Sequence, residues 1–305
     1  MSQIARFMTA MVTPYTAAGA VDYAGARKLA GLLVRAGNDG LVVTGTTGEA
    51  PLLTDDEKAR LWEEVKQELG PAHTVVAGAG TNDTRHSLEL VRRAEEAGVD
   101  AILAVAPYYL RPPQEGIYQH FRAIAESTHL PVILYNVPSR TGVNISLETL
   151  LRLAEIPNIV GDKEANGDLA AAARLIETRP GFLIWSGNDS DNFHLWCMGA
   201  YGAISVTGHL VAAQQQRMFA AIQEGHVAEA AAIHRRLQPL TDACFLNGNP
   251  SSIRYILRNL GAEIGLPRLP VVEPDEAISA RIMAEIGKHS LDLALATPQP
   301  VPVAG

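Results

Sequence analysis

Eight short apolar runs alternate with amphipathic stretches along the chain, and this alternation constrains the fold more than any other feature. A strand–helix–strand succession predicts parallel strands in one sheet, because each helix carries the chain back to the edge where the strand began. Eight such units in roughly 225 residues predict an α/β fold, a closed (β/α)8 TIM barrel. An open doubly wound sheet is the alternative, but no GxGxxG follows the first run, which argues against a dinucleotide site. The predicted strands are Phe7–Val12, Gly40–Thr44, Thr74–Ala79, Ala101–Val105, Val132–Tyr135, Ile159–Lys163, Phe182–Ser186 and Ala203–Val206.

The stretches between the strands carry helix-start signals. Thr54 is a good N-cap, and Glu57 three residues later completes a capping box. Asp22 can cap the first helix, and Asn82 or Asp83 the third. The predicted helices include Tyr23–Ala36, Asp55–Leu69, Thr84–Ala97 and Glu115–Ser127.

The C-terminal part of the chain has a different pattern. After Ile222 no strand is predicted, and three helices follow at Val227–Phe245, Ser251–Leu260 and Asp275–Lys288. We therefore divide the chain into a barrel at residues 1–224 that carries the active site, a three-helix extension at 225–292, and a tail at 293–305. The tail is rich in Pro and Ala and is predicted to be disordered.

Composition and charge narrow the class of partner. The net charge of −8 and the pI near 5.6 argue against a nucleic-acid or membrane partner, although local cations can still bind a small anionic substrate. The two cysteines, Cys197 and Cys244, form no CxxC pair and suit a reducing compartment. No signal-peptide pattern and no run of roughly 18 apolar residues is visible. We expect a soluble cytoplasmic protein.

Hydrogen-bond donors follow several of the predicted strands. In a barrel of this kind the active site forms at the carboxyl ends of the strands. The sequence places hydroxyls, phenols, one arginine and one lysine there, but no carboxylate pair spaced for glycoside hydrolysis and no cluster with metal spacing. We therefore expect no metal. The residues concerned are Thr46, Thr47, Tyr108, Tyr109, Tyr135, Arg140 and Lys163, with the run 186–189 after the seventh strand.

Lys163 lies at the end of the sixth predicted strand, in the run GDKEA. Because side chains alternate along a strand, Lys163 points to the same face as Gly161 and Ala165, whereas Asp162 and Glu164 point to the other. A lysine in a tight, mostly apolar interior loses the solvation of its charged form, and its neutral amine can then form a Schiff base. The alternative, which these residues alone favour, is a surface lysine in a polar triplet.

Other residues of this set also allow two interpretations. Thr46 and Thr47 lie between glycines, where hydroxyl and backbone N–H groups can bind a small anion or only bond their own backbone. Tyr135 can present its hydroxyl to the barrel mouth or use it in a structural hydrogen bond. Arg140 can hold a carboxylate bidentately or lie free on the surface. Tyr109 and the tyrosine before it form an aromatic pair in a loop, which requires a partner surface.

Six motifs carry a resemblance to a known family: GTTGE, PYYLRPPQEGIYQHF, ILYNVPSRTG, GDKEANGDL, SGND and GAISVT. With them the chain resembles the dihydrodipicolinate synthase / N-acetylneuraminate lyase family of Schiff-base aldolases over roughly residues 4–290. YNVPSRTG and the lysine of KEA are its most specific features. The arginine of SRTG points, within the family, to members that condense pyruvate with L-aspartate 4-semialdehyde. Their product is 4-hydroxy-tetrahydrodipicolinate, made in lysine and diaminopimelate biosynthesis.

The resemblance implies catalytic roles for four residues. Lys163 would attack C2 of pyruvate and form an imine that tautomerises to the reactive enamine. Tyr135 would move protons to and from the carbinolamine as general acid and base, and Thr46 would connect it to Tyr109 in a proton relay. In this family the residue at the position of Tyr109 reaches into the neighbouring subunit's site. The usual assembly is a homotetramer, a dimer of dimers.

The resemblance also implies how the substrates bind. Thr47 and its backbone N–H would hold the pyruvate carboxylate, and Arg140 would hold the semialdehyde carboxylate. The backbone carbonyls of Gly187 and Ile204 would line the pocket, and no cofactor is implied beyond the covalent Schiff base on Lys163. One alternative is another pyruvate-dependent aldolase or a 2-keto-3-deoxy sugar acid lyase or dehydratase, which commonly lacks the arginine. A second is a non-catalytic barrel that binds a small acid.

Two departures from the family pattern concern residues near the site. Asp162 stands where an apolar residue usually precedes the lysine, and a carboxylate facing the helix layer needs a partner. The run NPSSIR at residues 249–254 replaces the usual NPIPVK-like run, which bears on specificity.

A third departure concerns the site at which lysine inhibits some relatives. Asn82 and Tyr108 are retained there, whereas Asp55, Lys58 and His86 stand in place of histidines and a glutamate. Without that glutamate, and with a lysine in its neighbourhood, the amino group of the effector has a weaker partner. We expect a vestigial effector site and weak or absent inhibition by lysine.

Overall fold

The computed structural model describes residues 4–295 and forms a closed barrel of eight parallel strands. Each strand pairs with the next, and β8 pairs with β1 to close the sheet. The predicted (β/α)8 barrel is confirmed, and the open-sheet alternative is wrong. The strands are β1 Phe7–Ala10, β2 Gly40–Val43, β3 Thr74–Gly78, β4 Ala101–Val105, β5 Val132–Asn136, β6 Ile159–Glu164, β7 Leu183–Ser186 and β8 Gly202–Ser205.

Helices lie between and after the strands. Within residues 4–295, none of them is long and apolar enough to cross a membrane. A short helix, α5, follows β5 directly and carries Arg140. The helices are α1 Tyr23–Arg35, α2 Asp55–Leu69, α3 Thr84–Glu96, α4 Gln114–Glu126, α5 Pro138–Thr141, α6 Leu147–Leu153, α7 Leu169–Thr178, α8 Asn192–Cys197, α9 Gly208–Gln223, α10 Val227–Phe245, α11 Ser251–Asn259 and α12 Glu276–Ile286.

Polar caps fix the start of several of these helices. Thr54 and Glu57 form the predicted capping box at α2. Asp22 caps α1, and Asp83 rather than Asn82 caps α3. Each cap satisfies backbone N–H groups that have no partner within the first turn of the helix.

Buried apolar side chains form two clusters, one inside the barrel and one between the sheet and the helices. This separation follows from the alternation of side chains along each strand. The inner cluster includes Met8, Val42, Val76, Leu103, Ile133, Tyr135, Trp185 and Ile204.

The C-terminal extension packs against the barrel. α10 lies against α9, and α11 and α12 pack on α10. The segment after α11 returns to the barrel, where the Tyr15 N–H donates to the Ile264 carbonyl at 2.9 Å. Leu293 is buried in the outer cluster and Leu295 packs against it. The rest of the predicted tail, residues 296–305, lies outside the described residues.

Candidate active site

Lys163 is buried inside the barrel on β6, with 5% of its surface exposed. In the sheet register it lies between Tyr135 of β5 and Trp185 of β7. Its Nζ lies 4.2 Å from the centroid of the Tyr135 ring. The structure therefore brings the predicted lysine and tyrosine together, and the alternative of a surface lysine is wrong.

Two glycines leave room for this packing. A Cβ on Gly187 would lie 2.8 Å from the Cβ of Ala165 and 3.1 Å from the Cγ of Lys163. A Cβ on Gly161 would lie 2.7 Å from the ring of Trp185. Any larger residue at either position would displace β6 or its neighbours, so glycine is required by space.

A cavity of about 870 Å³ opens at the carboxyl ends of the strands. Its walls include five residues predicted for the site, namely Thr46, Tyr108, Tyr109, Tyr135 and Arg140. Lys163 lies behind this wall, against Tyr135. The cavity thus gives a small acid access to the phenol next to the buried amine.

Two further residues, Gly187 and Ile204, are predicted to line the pocket near the lysine. Gly187 follows β7, and a Cβ built on it would lie 3.1 Å from the Cγ of Lys163. Ile204 is buried on β8 in the same inner cluster as Tyr135 and Trp185. The place of their backbone carbonyls beside the amine stays a prediction.

Thr47 is buried, and its hydroxyl has a partner that the sequence did not predict. Asn249 Nδ2 donates to Thr47 Oγ1 at 2.9 Å. The backbone carbonyl of Asn249 accepts from Arg140 Nη2 at 3.4 Å. Asn249 therefore links the two side chains expected to hold carboxylates. The only sequence signal was the altered run that begins at this residue.

Tyr109 does not join the predicted relay within one chain. Its side chain is 86% exposed, and its φ of 72° lies in the left-handed region that non-glycine residues rarely adopt. Its N–H donates to the Thr141 carbonyl at 3.1 Å, which helps hold this conformation. Among residues 4–295 no hydrogen bond joins the side chains of Thr46, Tyr109 and Tyr135.

The family follows from a comparison with known sequences. The profile of the Dihydrodipicolinate synthetase family matches residues 3–289. The chain belongs to this family. A family member from Dehalococcoides mccartyi, a 4-hydroxy-tetrahydrodipicolinate synthase, is 50% identical over 294 residues, which cover 96% of this chain and 99% of the relative.

Solved structures of the family agree with the barrel described above. A dihydrodipicolinate synthase from Bacillus anthracis superposes with a TM-score of 0.92 at 40% identity, over 95% of this chain and 99% of that chain. A chloride-inhibited dihydrodipicolinate synthase from Acinetobacter baumannii, complexed with pyruvate, superposes with a TM-score of 0.90 at 36% identity, over 93% and 98% of the two chains.

Two buried carboxyl groups lie on the outer face of β6, on either side of Lys163 in the sequence. Asp162 faces the helices, as predicted, but neither of its oxygens has a hydrogen-bond partner within residues 4–295. Complete burial and the nearby Glu164 raise the pKa of Asp162 well above its usual value. Burial also raises the pKa of Glu164, although backbone N–H groups of Asn166 and Gly167 donate to it at 2.6 and 3.0 Å.

The residues at the predicted effector site form a charged cluster between α2 and α3. Asp55 lies 2.9 Å from His86 Nε2 and 3.4 Å from Lys58 Nζ. Partial burial opposes ionisation of Asp55, but these two partners hold its pKa below its usual value. Lys58 is buried and lines the cavity with Tyr108. Asn82 precedes the cap of α3, near this cluster in the sequence.

Proposed function

We propose that Lys163 forms a Schiff base with pyruvate in a 4-hydroxy-tetrahydrodipicolinate synthase reaction. The chain has the activity of this enzyme class, which serves lysine biosynthesis. The observation that carries the proposed site is the burial of Lys163 with its Nζ 4.2 Å from the ring centroid of Tyr135. A buried primary amine beside a phenol provides the nucleophile and the proton donor that imine formation needs.

The first half of the reaction uses pyruvate. Lys163 Nζ attacks C2, and loss of the carbinolamine oxygen as water gives the imine. Tyr135 donates the proton that this water needs. Loss of a proton from C3 then gives the enamine, whose carbon is the nucleophile. Thr47, with its hydroxyl and backbone N–H, binds the pyruvate carboxylate.

The second half joins the enamine to an aldehyde. The enamine carbon attacks the aldehyde of L-aspartate 4-semialdehyde, and the amino group of that substrate then displaces Lys163 and closes the ring. Arg140 lines the cavity and holds the carboxylate of the semialdehyde. The backbone carbonyls of Gly187 and Ile204 lie beside the reacting carbons.

Tyr109 completes the site of a neighbouring subunit in this proposal. Its exposure and left-handed backbone present the phenol outward, and Leu110 beside it is also exposed. An exposed aromatic and aliphatic pair in a loop suits burial in a partner subunit. The proposed assembly is a homotetramer, a dimer of dimers, acting in the cytoplasm.

Borohydride trapping tests the proposal directly. Incubation with pyruvate and borohydride should add a reduced pyruvate adduct to the intact mass, and Lys163→Ala should abolish it. The adduct should remain in Arg140→Ala, whereas turnover with aspartate semialdehyde should fall by roughly 10–200-fold, as expected when a charged hydrogen-bonding partner is removed. An adduct that persists in Lys163→Ala would refute the assignment of Lys163 as the Schiff-base lysine.

Choice of acceptor separates this reaction from its relatives. Turnover with pyruvate and aspartate semialdehyde should far exceed cleavage or dehydration of 2-keto-3-deoxygluconate. The opposite order would identify a sugar-acid lyase or dehydratase built on the same Schiff base. Failure of both assays and of trapping would identify a non-catalytic barrel.

A further inference from the structure

The turn that carries Thr46 and Thr47 ends in a buried carboxylate. Glu49 closes this GTTGE turn with a left-handed φ of 58°, and its side chain is 1% exposed. An ionised carboxylate without a partner at such a site would be strongly destabilising. The conformation of the turn therefore depends on what reaches Glu49.

Arg254, on α11 of the C-terminal extension, supplies the opposite charge. Its Nη1 lies 2.9 Å from Glu49 Oε1, and its own side chain is also 1% exposed. Its N–H groups also donate to the carbonyls of Thr13 at 2.5 Å, Ile264 at 2.9 Å and Gly265 at 3.2 Å. One guanidinium thus joins the turn after β2 to the loop after β1 and to the segment after α11.

Asn249 holds the same turn at a second point, in the loop just before α11. Its Nδ2 donates to Thr47 Oγ1 at 2.9 Å. Because the Thr47 oxygen accepts this bond, its own hydrogen is free to donate to a carboxylate. The contact between Asn249 and Thr47 therefore both places the hydroxyl and orients it.

We propose that Asn249 and Arg254 are positioning residues that hold the GTTGE turn in the conformation that binds pyruvate. The proposal rests on the substrate-binding role given above to Thr47. In this arrangement the barrel supplies every group that touches pyruvate, and the extension acts through the turn. The C-terminal helices then contribute to the reaction as well as to stability.

The variant Asn249→Ala tests the contact to Thr47. We expect the KM for pyruvate to rise about tenfold, the scale of one lost hydrogen bond, with a smaller change in kcat. The matched control is Asn247→Ala, in the same loop, whose side chain donates to Ser251 Oγ and does not touch the turn. The control should keep the wild-type KM. Equal changes in both variants, or an unchanged KM in Asn249→Ala, would overturn the proposal.

A double-mutant cycle tests the contact between Arg254 and Glu49. Arg254→Met removes the guanidinium partner of the buried Glu49 carboxylate and leaves it, within residues 4–295, only the Arg268 N–H at 3.3 Å, so the single variant can fail to fold. Arg254→Met combined with Glu49→Gln removes both charges and should fold, yet still raise the KM for pyruvate because the turn is no longer held. Arg254→Lys keeps the charge and should recover part of the wild-type KM. A folded double variant with the wild-type KM would show that the pair serves stability alone.

Borohydride trapping tests this positioning role independently of the assignment of Lys163 as the Schiff-base lysine. All of these variants should still form the reduced pyruvate adduct on Lys163 at saturating pyruvate, with a lower rate of formation at limiting pyruvate. Wild-type rates of adduct formation at every pyruvate concentration would refute the positioning role while leaving the Schiff base intact. Loss of the adduct in the wild-type protein would instead refute the assignment on which the proposal rests.

Discussion

At the scale of single residues, the lysine proposed to form the Schiff base is flanked by a carboxyl group that has no hydrogen-bond partner within residues 4–295. Strand alternation separates Lys163 and Asp162 onto opposite faces of β6, so the amine enters the barrel and the carboxyl enters the layer under the helices. Ionised Asp162 would be costly there, because complete burial and the nearby Glu164 raise its pKa well above its usual value.

Replacing Asp162 by an apolar residue should stabilise the protein. Asp162→Val removes two buried polar atoms and suits a strand, so we expect the free energy of unfolding to rise by about 1–3 kcal/mol. Thermal and denaturant unfolding measure this change. Borohydride trapping on Lys163 should be unaffected, because the Asp162 side chain faces away from the site.

The gain in the free energy of unfolding should also depend on pH. The unfolded carboxyl has a pKa of about 3.9, and the folded one is higher, so above pH 4 unfolding releases a proton and the wild type loses stability as pH rises. The stability of both Asp162→Val and Asp162→Asn relative to the wild type should therefore increase from pH 4 upward. Glu177→Gln, an exposed change of the same charge on α7, should show no such trend. If Asp162→Asn follows the wild type at every pH, the carboxyl is ionised and partnered.

At the scale of elements, local signals predicted the helices and strands well, and long-range contacts could not be predicted. α2 and α10 have the predicted bounds, because capping residues and apolar periodicity are local features. β1 ends at Ala10 rather than Val12, because the Val12 N–H donates to His209 Nε2 at 3.2 Å instead of continuing the sheet. The bond between Asn249 and Thr47 joins residues far apart in sequence, and the altered run that begins at Asn249 does not by itself identify Thr47 as the partner.

We expect the charged cluster between α2 and α3 to decide whether lysine can act as an inhibitor. The Asp55 carboxylate is already occupied by His86 and Lys58, and the ammonium of Lys58 faces the cavity that a cationic effector would enter. We expect millimolar L-lysine to leave the initial rate nearly unchanged. Half-inhibition at micromolar lysine would contradict this.

Exchanging the charged side chains at Lys58 and His86 tests the same prediction in the opposite direction. Lys58→His with His86→Glu should introduce inhibition by lysine, because it removes the repelling ammonium and adds a carboxylate. Arg60→His, an exposed change on the same helix, is the control and should remain insensitive. Insensitivity of the double variant would show that other features of the pocket decide effector binding.

At the scale of the whole molecule, one chain brings most of the proposed site together, whereas its Tyr109 is largely exposed. Lys163 packs against Tyr135, which lines the same cavity as Arg140. Asn249 of the C-terminal extension links Arg140 to Thr47. Tyr109 instead points outward from a strained loop. A strained backbone conformation persists only where surrounding contacts stabilise it, and contacts with a partner subunit would provide this stabilisation.

Mixing two inactive variants tests whether Tyr109 acts in the neighbouring subunit. Tyr109→Phe should lower turnover by roughly 10²-fold or more if the phenol moves protons, and Lys163→Ala should abolish it. Reassembled together in equal amounts, half of the dimers are mixed, and each of these has one complete site, so roughly a quarter of the wild-type activity should return. Lys163→Ala mixed with Tyr135→Phe is the matched control, because both defects lie in the same subunit's site and no mixed dimer is complete. If the first mixture regains no more activity than the second, Tyr109 serves its own chain or none.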